Sequence, residues 1–356
     1  MRKESLRFLE TLVNTPTPAG FETKGQQLWL DYVKQFADTV ETDAYGNATA
    51  TFNKGGSPRL MVAGHGDEIG LMVNYISSEG YLYFRSIGGV SPEILKAQRV
   101  NIHTASGPIT GVIGSLPPHL TDKRGEAKVP KLQDLYIDIG AVSKKEALER
   151  VRIGDPVTLQ GCFEQLTDNI MIARAFDNRA GSWIAAETIR LLSQSAKKCE
   201  PEVIATSTVM EEIGYKGAMQ IAYSVKPDLA LVVDVTHATD YPDVKQTAHG
   251  EIKLGGGPVL TRGTCNHPLL FERLDQVAQS EKMTVQYEAS SRSTGTDTDA
   301  IFTMRGGIPS ALVSIPNRYM HSPVEMIHLG DLEAIPHLFA AFANRLKKGE
   351  TFKVIP

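Results

Sequence analysis

Four short, mostly apolar runs constrain this chain more than any other feature, because each leads into a residue that can ligate a metal. Such runs lack regular polar alternation, which is typical of strands buried on both faces of a parallel sheet. Their boundaries are Arg59–Ala63, Val203–Val209, Leu229–Val233 and Ala311–Ile315. Apolar positions recur at helical spacing between and around them, in segments 4–14, 22–37, 178–194, 215–224, 266–279 and 331–348. Strands that alternate with helices predict an α/β domain.

Between residues 70 and 165 the long helical patterns seen on either side are missing. Short strand-like segments punctuated by Gly and Pro predominate there, and we find no candidate metal ligand among them. These features predict a small β-rich unit. We therefore expect a catalytic domain in two pieces, 1–69 and 166–356, interrupted by a β-rich insertion over 70–165. Small modules that expose an apolar face often bury it against a partner, so we expect this insertion to serve self-association.

Composition excludes several other classes of protein. The 356 residues carry 41 acidic and 37 basic side chains, a net charge of −4, which argues against a dedicated nucleic-acid binder. Apolar runs fall short of the ~20 residues of a membrane span, and the amphipathic start does not resemble a secretory signal. Three cysteines occur outside any CxxC pattern, at positions Cys162, Cys199 and Cys265. Unpaired thiols are typical of a reducing compartment, so we expect a cytoplasmic location.

The polar residues at the strand ends predict a metal site. In open α/β sheets, ligands bind outside the carboxyl ends of the strands. His65 and Asp67 are two residues apart and share a face in extended backbone, so the aspartate can orient the histidine ring. Glu211 and Glu212 point in opposite directions in extended backbone, so one can bind metal while the other faces the substrate as a base. Asp177, which precedes a predicted helix, is either a ligand or a helix N-cap.

The number and type of candidate ligands favour two metals and a hydrolytic reaction. The mixed His and carboxylate set is His65, Asp177, Glu212, Asp234 and His321. Five ligands exceed the three protein ligands of a single catalytic zinc, and they fit two metals that share one bridging carboxylate. Imidazole and carboxylate together suit Zn or Co, with Mn or Ni as alternatives.

These residues lie in motifs that together resemble one family, the M42 metallo-aminopeptidases, which include glutamyl, leucyl and tetrahedral aminopeptidases. The resemblance extends from Pro16 to the C-terminal helix. The motifs are Gly64-His65-Gly66-Asp67-Glu68-Ile69-Gly70, Ala175-Phe176-Asp177-Asn178-Arg179, Glu211-Glu212-Ile213-Gly214-Tyr215-Lys216-Gly217-Ala218, Val233-Asp234-Val235-Thr236 and Arg318-Tyr319-Met320-His321-Ser322-Pro323-Val324-Glu325. The resemblance implies a three-layer α/β/α zinc-exopeptidase-like domain with an inserted β-rich dimerisation domain, PDZ-like or barrel-shaped.

The resemblance also assigns roles to the candidate residues. One metal would be held by His65, Asp177 and Asp234, and the other by Asp177, Glu212 and His321, so that Asp177 bridges. Glu211 would be the general base and Asp67 would orient His65. The Asp177–Asn178 peptide is expected to be strained, with a cis bond as one form. The implied substrates are short peptides, and the implied assembly is a homo-oligomer of dimers that builds a dodecamer.

Three rival hypotheses stay open at this point. A deacylase or carboxypeptidase of the same fold would need a cationic clamp for the substrate carboxylate, for which Arg179, Arg292 and Arg318 are candidates. A retaining glycosidase would use Glu211 and Glu212, although adjacent residues rarely place two carboxyls ~5 Å apart across one bond. A non-catalytic metal-binding assembly scaffold would not need the base at Glu211.

Overall fold

The four predicted apolar runs are neighbouring strands of one central sheet. The structure is a computed structural model, and it describes residues 1–116, 119, 130–197 and 199–355. The strands of this sheet are β1 (Thr39–Thr42), β2 (Ala48–Phe52), β3 (Arg59–His65), β12 (Glu202–Thr208), β13 (Leu229–His237), β14 (Val259–Gly263), β15 (Gln286–Ser290) and β16 (Ser310–Asn317). Their order is β1-β2-β12-β3-β13-β16-β14-β15. The four strands β12, β3, β13 and β16 are mutually parallel, so their carboxyl ends share one edge.

Helices cover both faces of this sheet and form the outer layers. The helices outside the insertion are α1 (Lys3–Asn14), α2 (Thr23–Val33), α4 (Phe176–Ser193), α5 (Lys216–Val225), α6 (Gln246–His249), α7 (Pro268–Ser280), α8 (Thr298–Ile301) and α9 (Leu329–Ala343). Alternate residues of β3 reach two different cores: Leu60 and Val62 pack with α1, α2, α4, α7 and α9, whereas Met61 and Ala63 pack with α5 and α8. Burial on both faces explains why the run lacks polar alternation.

A closed barrel follows β3 along the chain. Its strands are β4 (Gly70–Ile76), β5 (Leu82–Ile87), β6 (Arg99–Thr104), β7 (Gly107–Gly114), β8 (Tyr136–Asp138) and β9 (Pro156–Leu159), in the order β4-β5-β8-β7-β6-β9. The helix α3 (Lys144–Arg150) lies between β8 and β9 and contributes Ala147 to the barrel's own apolar core. An α/β domain with a β-rich insertion is therefore confirmed. Residues 117, 118 and 120–129 of the predicted insertion lie outside the described residues, and its exact limits stay a prediction.

A small sheet connects the end of the insertion to the C-terminal part of the chain. It consists of β10 (Glu164–Gln165), β11 (Ile170–Ala173) and β17 (Glu325–His328). Helices α2 and α9 end at Val33 and Ala343, before the predicted ends at 37 and 348. The apolar pattern continues past both helices because Phe36 and Leu346 pack onto the same core from the turns that follow. Within the described part of the chain, no helix has both the length and the apolar character needed to cross a membrane.

Candidate metal centre

The predicted ligands gather at the carboxyl edge of the four parallel strands. β3 ends at His65, the loop after β12 carries Glu211 and Glu212, and the loop between β16 and β17 carries His321. The structure brings together every candidate of the sequence analysis: His65, Asp67, Asp177, Glu211, Glu212, Asp234 and His321. Parallel strands explain this convergence, since their carboxyl ends meet at one edge.

Asp234 reaches the site from inside a strand rather than from its end. β13 is longer than the predicted apolar run and continues to His237. The Asp234 side chain accepts a hydrogen bond from the Val235 N–H at 2.8 Å, and the residue is 4 % exposed. Its Oδ1 lies 3.8 Å from His65 Nε2. Pairing with β16 along this extension therefore places the carboxylate beside the histidine.

Asp177 lies in the first turn of α4, where the backbone departs from helical geometry. The Asp177–Asn178 peptide bond is cis, as the resemblance predicts, and Ala175 before it has a φ of 60°. The alternative role as N-cap is wrong, because regular helical dihedrals begin after Asn178, and the Asn178 side chain, not that of Asp177, accepts the Gly181 N–H at 2.9 Å. Asn178 donates a 2.8 Å hydrogen bond to the carbonyl of Val233, one residue before Asp234. This contact joins the start of α4 to the strand that carries the neighbouring ligand.

The two oxygens of Asp177 face two different histidines. Oδ1 lies 3.2 Å from His65 Nε2, and Oδ2 lies 3.1 Å from His321 Nε2. His321 Nε2 also lies 3.3 Å from Glu212 Oε2, and its other ring nitrogen is 2.9 Å from the carbonyl oxygen of Gly89. Asp177 therefore occupies the middle of the cluster, with one ligand group on either side.

Asp67 connects the histidine to the loop that carries the two glutamates. Its Oδ1 lies 3.3 Å from His65 Nδ1. The same carboxylate accepts the backbone N–H of Glu211 at 3.0 Å and that of Glu212 at 3.1 Å. The sequence analysis predicted the first contact. It missed the second, which depends on how β3 and β12 lie side by side.

Glu325 is a buried carboxylate of the site to which sequence reasoning gave no role. Its side chain accepts the N–H of Asp177 at 2.8 Å and the N–H of His321 at 3.1 Å. Asn317 donates to it at 3.3 Å. The residue is 2 % exposed. Glu325 thus fixes the backbone of two candidate ligand residues that lie far apart in sequence, and its presence in the last motif was the only signal for it.

Burial and crowding of like charges perturb the site strongly. Burial raises the pKa of Glu211 to about 10, with a further contribution from the nearby Asp234 carboxylate. Burial likewise raises the pKa of Asp234 and of Glu212. Burial opposes protonation of His321, yet the carboxylates of Asp177 and Glu212 outweigh it and raise the histidine pKa to about 11. The site therefore concentrates more negative charge than its own histidines neutralise, and it favours added positive charge.

The donor set fits divalent cations. Among the described residues, His65, Asp177 and Glu212 offer ligand atoms within 4.8 Å of one another, and so do His65, Glu211 and Asp234. The buried Glu212 Oε1 has no hydrogen-bond partner among the described residues. A buried carboxylate oxygen without a donor is costly unless a cation lies near it. Imidazole with carboxylate and no thiolate is the ligand chemistry of catalytic rather than structural zinc.

Comparison with known proteins decides the family. The model of the M42 glutamyl aminopeptidase family matches residues 46–338, a stretch that contains all of the ligands described above. The chain belongs to the M42 aminopeptidase family. It is therefore a hydrolase of the aminopeptidase class, and the non-catalytic scaffold hypothesis is set aside.

Relatives of this M42 chain cover nearly its whole length. A lysyl aminopeptidase of Pyrococcus furiosus is 36% identical over 96% of this chain and 97% of the relative. The TET aminopeptidase from the marine sediment archaeon Thaumarchaeota archaeon SCGC AB-539-E09 superposes with a TM-score of 0.92, at 34% identity, and covers 97% of both chains. The TET1 peptidase of Pyrococcus horikoshii, which can assemble into a tetrahedron or a large octahedral shell, has a TM-score of 0.86 at 33% identity, over 96% of this chain and 100% of that one.

Two of the three arginines proposed as a carboxylate clamp are already engaged. Arg179 is buried and pairs with Glu68 at 2.5 Å. Arg318 pairs with Asp240 at 2.7 Å. Arg292 lines a cavity whose wall also includes the two residues after Asp234. Arg179 and Arg318 are therefore not available to bind the substrate carboxylate that the carboxypeptidase hypothesis requires.

Proposed function

We propose that this M42 chain is a two-metal aminopeptidase that removes N-terminal amino acids from short peptides. The observation that carries the proposal is the position of Asp177, whose two oxygens face His65 and His321 separately. A carboxylate in this position suits a bridge between two cations, because each oxygen can serve one of them. The match to the M42 family supports the choice of substrate.

The ligands divide between two cations that share Asp177. His65, Asp177 and Asp234 would hold one, and Asp177, Glu212 and His321 would hold the other. The ligand chemistry favours Zn or Co, with Mn or Ni as alternatives. When bound, such cations polarise a peptide carbonyl and lower the pKa of water. Asp67, beside His65 Nδ1, keeps the imidazole oriented with Nε2 toward the ligand cluster.

Glu211 acts as the general base. It is 6 % exposed and its Oε2 lies 3.6 Å from His65 Nε2, so the carboxylate faces the ligand cluster from a dry environment. Without cations, burial raises the pKa of Glu211 to about 10. Bound cations would lower this pKa, so that the carboxylate is ionised and can accept a proton. Glu211 takes a proton from the attacking water and passes it to the leaving amine.

The side chain of the N-terminal residue enters the cavity beyond Asp234. This cavity has a volume of about 290 Å³ and is lined by Thr236, Thr261, Glu288 and Arg292, among others. Glu288 is half-buried and accepts hydrogen bonds from Thr236 at 3.1 Å and Thr261 at 3.4 Å. A carboxylate held in this manner favours a basic side chain. The activity named for the lysyl aminopeptidase of Pyrococcus furiosus agrees with this preference.

We further propose that the chain assembles as dimers through the barrel, and that the dimers build a dodecamer in the cytoplasm. The assembly of the Pyrococcus horikoshii TET1 peptidase into a tetrahedron supports the larger oligomer. Three free thiols, one of them buried, are consistent with a reducing compartment.

A panel of aminoacyl p-nitroanilides with N-acetylated controls tests the reaction. We expect hydrolysis of free α-amino substrates, fastest for Lys, no hydrolysis of the acetylated forms, and loss of activity on chelation that Zn, Co, Mn or Ni restores. Glu288→Gln should reduce kcat/KM for Lys substrates about 10-fold or more and leave Leu substrates almost unchanged. Release of acetate from N-acetylamino acids, or of the C-terminal residue from N-acetylated dipeptides, without release of p-nitroaniline from the free-amine substrates, would favour the deacylase and carboxypeptidase hypothesis instead.

Paired amide substitutions test the roles of base and bridge. Glu211→Gln keeps the shape of the side chain but cannot accept a proton, so kcat should fall by about 10²- to 10⁴-fold while metal content stays near that of the wild type. Asp177→Asn removes the charge that two cations share, so metal content should fall together with activity. Elemental analysis with single-turnover kinetics on both variants is decisive. If Glu211→Gln loses metal while Asp177→Asn keeps it, the two roles are wrongly assigned.

A further inference from the structure

Side chains from outside the loop hold every backbone N–H at the start of the loop that carries Glu211. The N–H groups of the consecutive residues 209–212 each donate to a side-chain oxygen. The pairs are Val209 to Asn47 Oδ1 at 3.0 Å, Met210 to Glu22 Oε1 at 3.0 Å, Glu211 to Asp67 Oδ1 at 3.0 Å and Glu212 to Asp67 Oδ2 at 3.1 Å. Three acceptors from three separate segments therefore hold four amides in a row. Backbone N–H groups require an acceptor, and here side chains supply all four.

The conformation of this loop requires support. Met210 has a φ of 54°, in the left-handed region that costs a residue other than glycine about 1–2 kcal/mol. The carbonyl groups of the same residues are hydrogen-bonded as well. Val209, Met210 and Glu211 accept N–H groups from residues 214–217 at 2.8–3.1 Å. Both the N–H and the carbonyl groups of this loop are thus hydrogen-bonded. The direction in which the Glu211 side chain points depends on these contacts.

Glu22 and Asn47 are themselves tied to their surroundings. One oxygen of Glu22 accepts both the Met210 N–H and the Gly20 N–H, the latter at 2.7 Å. Asn47 is fully buried and donates to Asp43 at 2.7 Å and to Gln220 at 2.9 Å. Hydrogen bonds to groups outside the loop therefore hold the side chains of Glu22 and Asn47 in the orientation in which they accept the N–H groups of the loop.

We propose that Glu22 and Asn47 are positioning residues for the reaction, which fix the backbone of the loop so that Glu211 faces the substrate. The inference rests on the proposed role of Glu211 as base. Neither residue contacts the ligand atoms of the site. Glu22 accepts the N–H of Met210, which directly precedes Glu211, whereas Glu212, the proposed metal ligand, donates its own N–H to Asp67. Loss of either acceptor should therefore displace the base more than the metals. Displacement by about 1 Å can reduce a rate by about 10²-fold.

Variants at Glu22 separate the hydrogen bond from the charge. Glu22→Gln retains an oxygen that can accept both N–H groups, so kcat should stay within about 3-fold of the wild type. Glu22→Ala removes the acceptor, so kcat should fall by about 10- to 100-fold while KM and metal content change little. Asn47→Ala should resemble Glu22→Ala. If Asn47→Ala does not fold, the comparison of the two Glu22 variants still decides.

Asn53→Ala is the matched control. Asn47 precedes β2 and Asn53 follows it, but Asn53 donates to the carbonyls of Cys199, Glu200 and Pro201 at the opposite end of β12. Its loss should lower the melting temperature and leave kcat unchanged at temperatures well below unfolding. A purely structural role of Glu22 would make Glu22→Ala behave in the same way, and that result would overturn the inference.

A double-mutant cycle tests whether Glu22 acts through Glu211. In the Glu211→Gln background the base is absent, so Glu22→Ala should lower the residual kcat by less than about 3-fold. An equal fold-loss in both backgrounds would refute positioning of the base and leave the proposed function intact. Near-full turnover of Glu211→Gln alone would refute the base itself, and the inference with it, whatever Glu22 does. Equal losses in Glu22→Gln and Glu22→Ala would also overturn it, since Glu22→Gln keeps the N–H acceptor and loses only the charge.

Discussion

Removal of the divalent cations should make the protein lose stability as the pH rises. Without cations, the pKa of Glu211 is about 10 in the folded protein, against an ordinary value of 4.5. Between these two values the folded state holds a proton that the unfolded state has released. The folded state is then the one that binds more protons, and the free energy of unfolding falls as pH increases.

The magnitude follows from the number of retained protons. Each one lowers the free energy of unfolding by about 1.4 kcal/mol per pH unit, so a single proton contributes about 3 kcal/mol between pH 6 and pH 8. For a chain of 356 residues, with an unfolding entropy of about 0.75 kcal/mol/K, this corresponds to a drop in Tm of about 4 °C. The raised pKa values of Asp234 and Glu325, and that of His321 above pH 6.5, act in the same direction. They reinforce the decrease in stability with pH.

Thermal unfolding followed by circular dichroism at pH 6, 7 and 8 measures the effect, on protein dialysed against chelator and on the same protein reloaded with Zn. Bound cations displace the protons, so the reloaded protein should show a smaller decrease over this range. Metal-free Glu211→Gln should show a slope shallower by about 1.4 kcal/mol per pH unit, because the amide does not titrate. A metal-free Tm that rises from pH 6 to pH 8, or that parallels the reloaded protein, would refute the reasoning.

Other predictions concern the residues around the site and the barrel. Glu325→Ala leaves the N–H groups of Asp177 and His321 without their acceptor, so metal affinity in a competition assay with a chromogenic chelator should fall about 10- to 100-fold. Unchanged affinity would show that Glu325 does not support the ligands. Replacement of residues 70–165 by a short linker should yield a monomer in sedimentation velocity, and an unchanged oligomer would rule out the barrel as the self-association module. Asp67→Asn should lower kcat through Glu211 as well as metal affinity through His65, and a variant that lost metal but kept normal turnover per bound metal would argue against the second contact.

The sequence by itself determined the α/β class, the β-rich insertion and the list of candidate metal-ligating side chains. Continuous apolar runs such as Arg59–Ala63 require burial on both faces, and a parallel sheet between helix layers provides it. A polar residue directly after such a run must lie at the carboxyl edge of the sheet. The position of His65 at that edge could therefore be predicted from local pattern alone, and the pair Glu211 and Glu212 was interpreted as one candidate ligand and one candidate base.

Only the tertiary structure decided how these side chains face one another and what holds them in place. The contact between Glu22 and Met210 spans 188 positions in the sequence, and that between Asn47 and Val209 spans 162. Local periodicity contains no information on such pairs, because it reports which face of an element is buried and not which loop comes to lie beside it. The position of Asp177 between two histidines likewise depends on the packing of α4 against β3 and on the loop after β16. Residue type and spacing were thus enough to predict the candidate ligands and base. The orientation of these side chains depends on the packing of segments that are distant in the sequence.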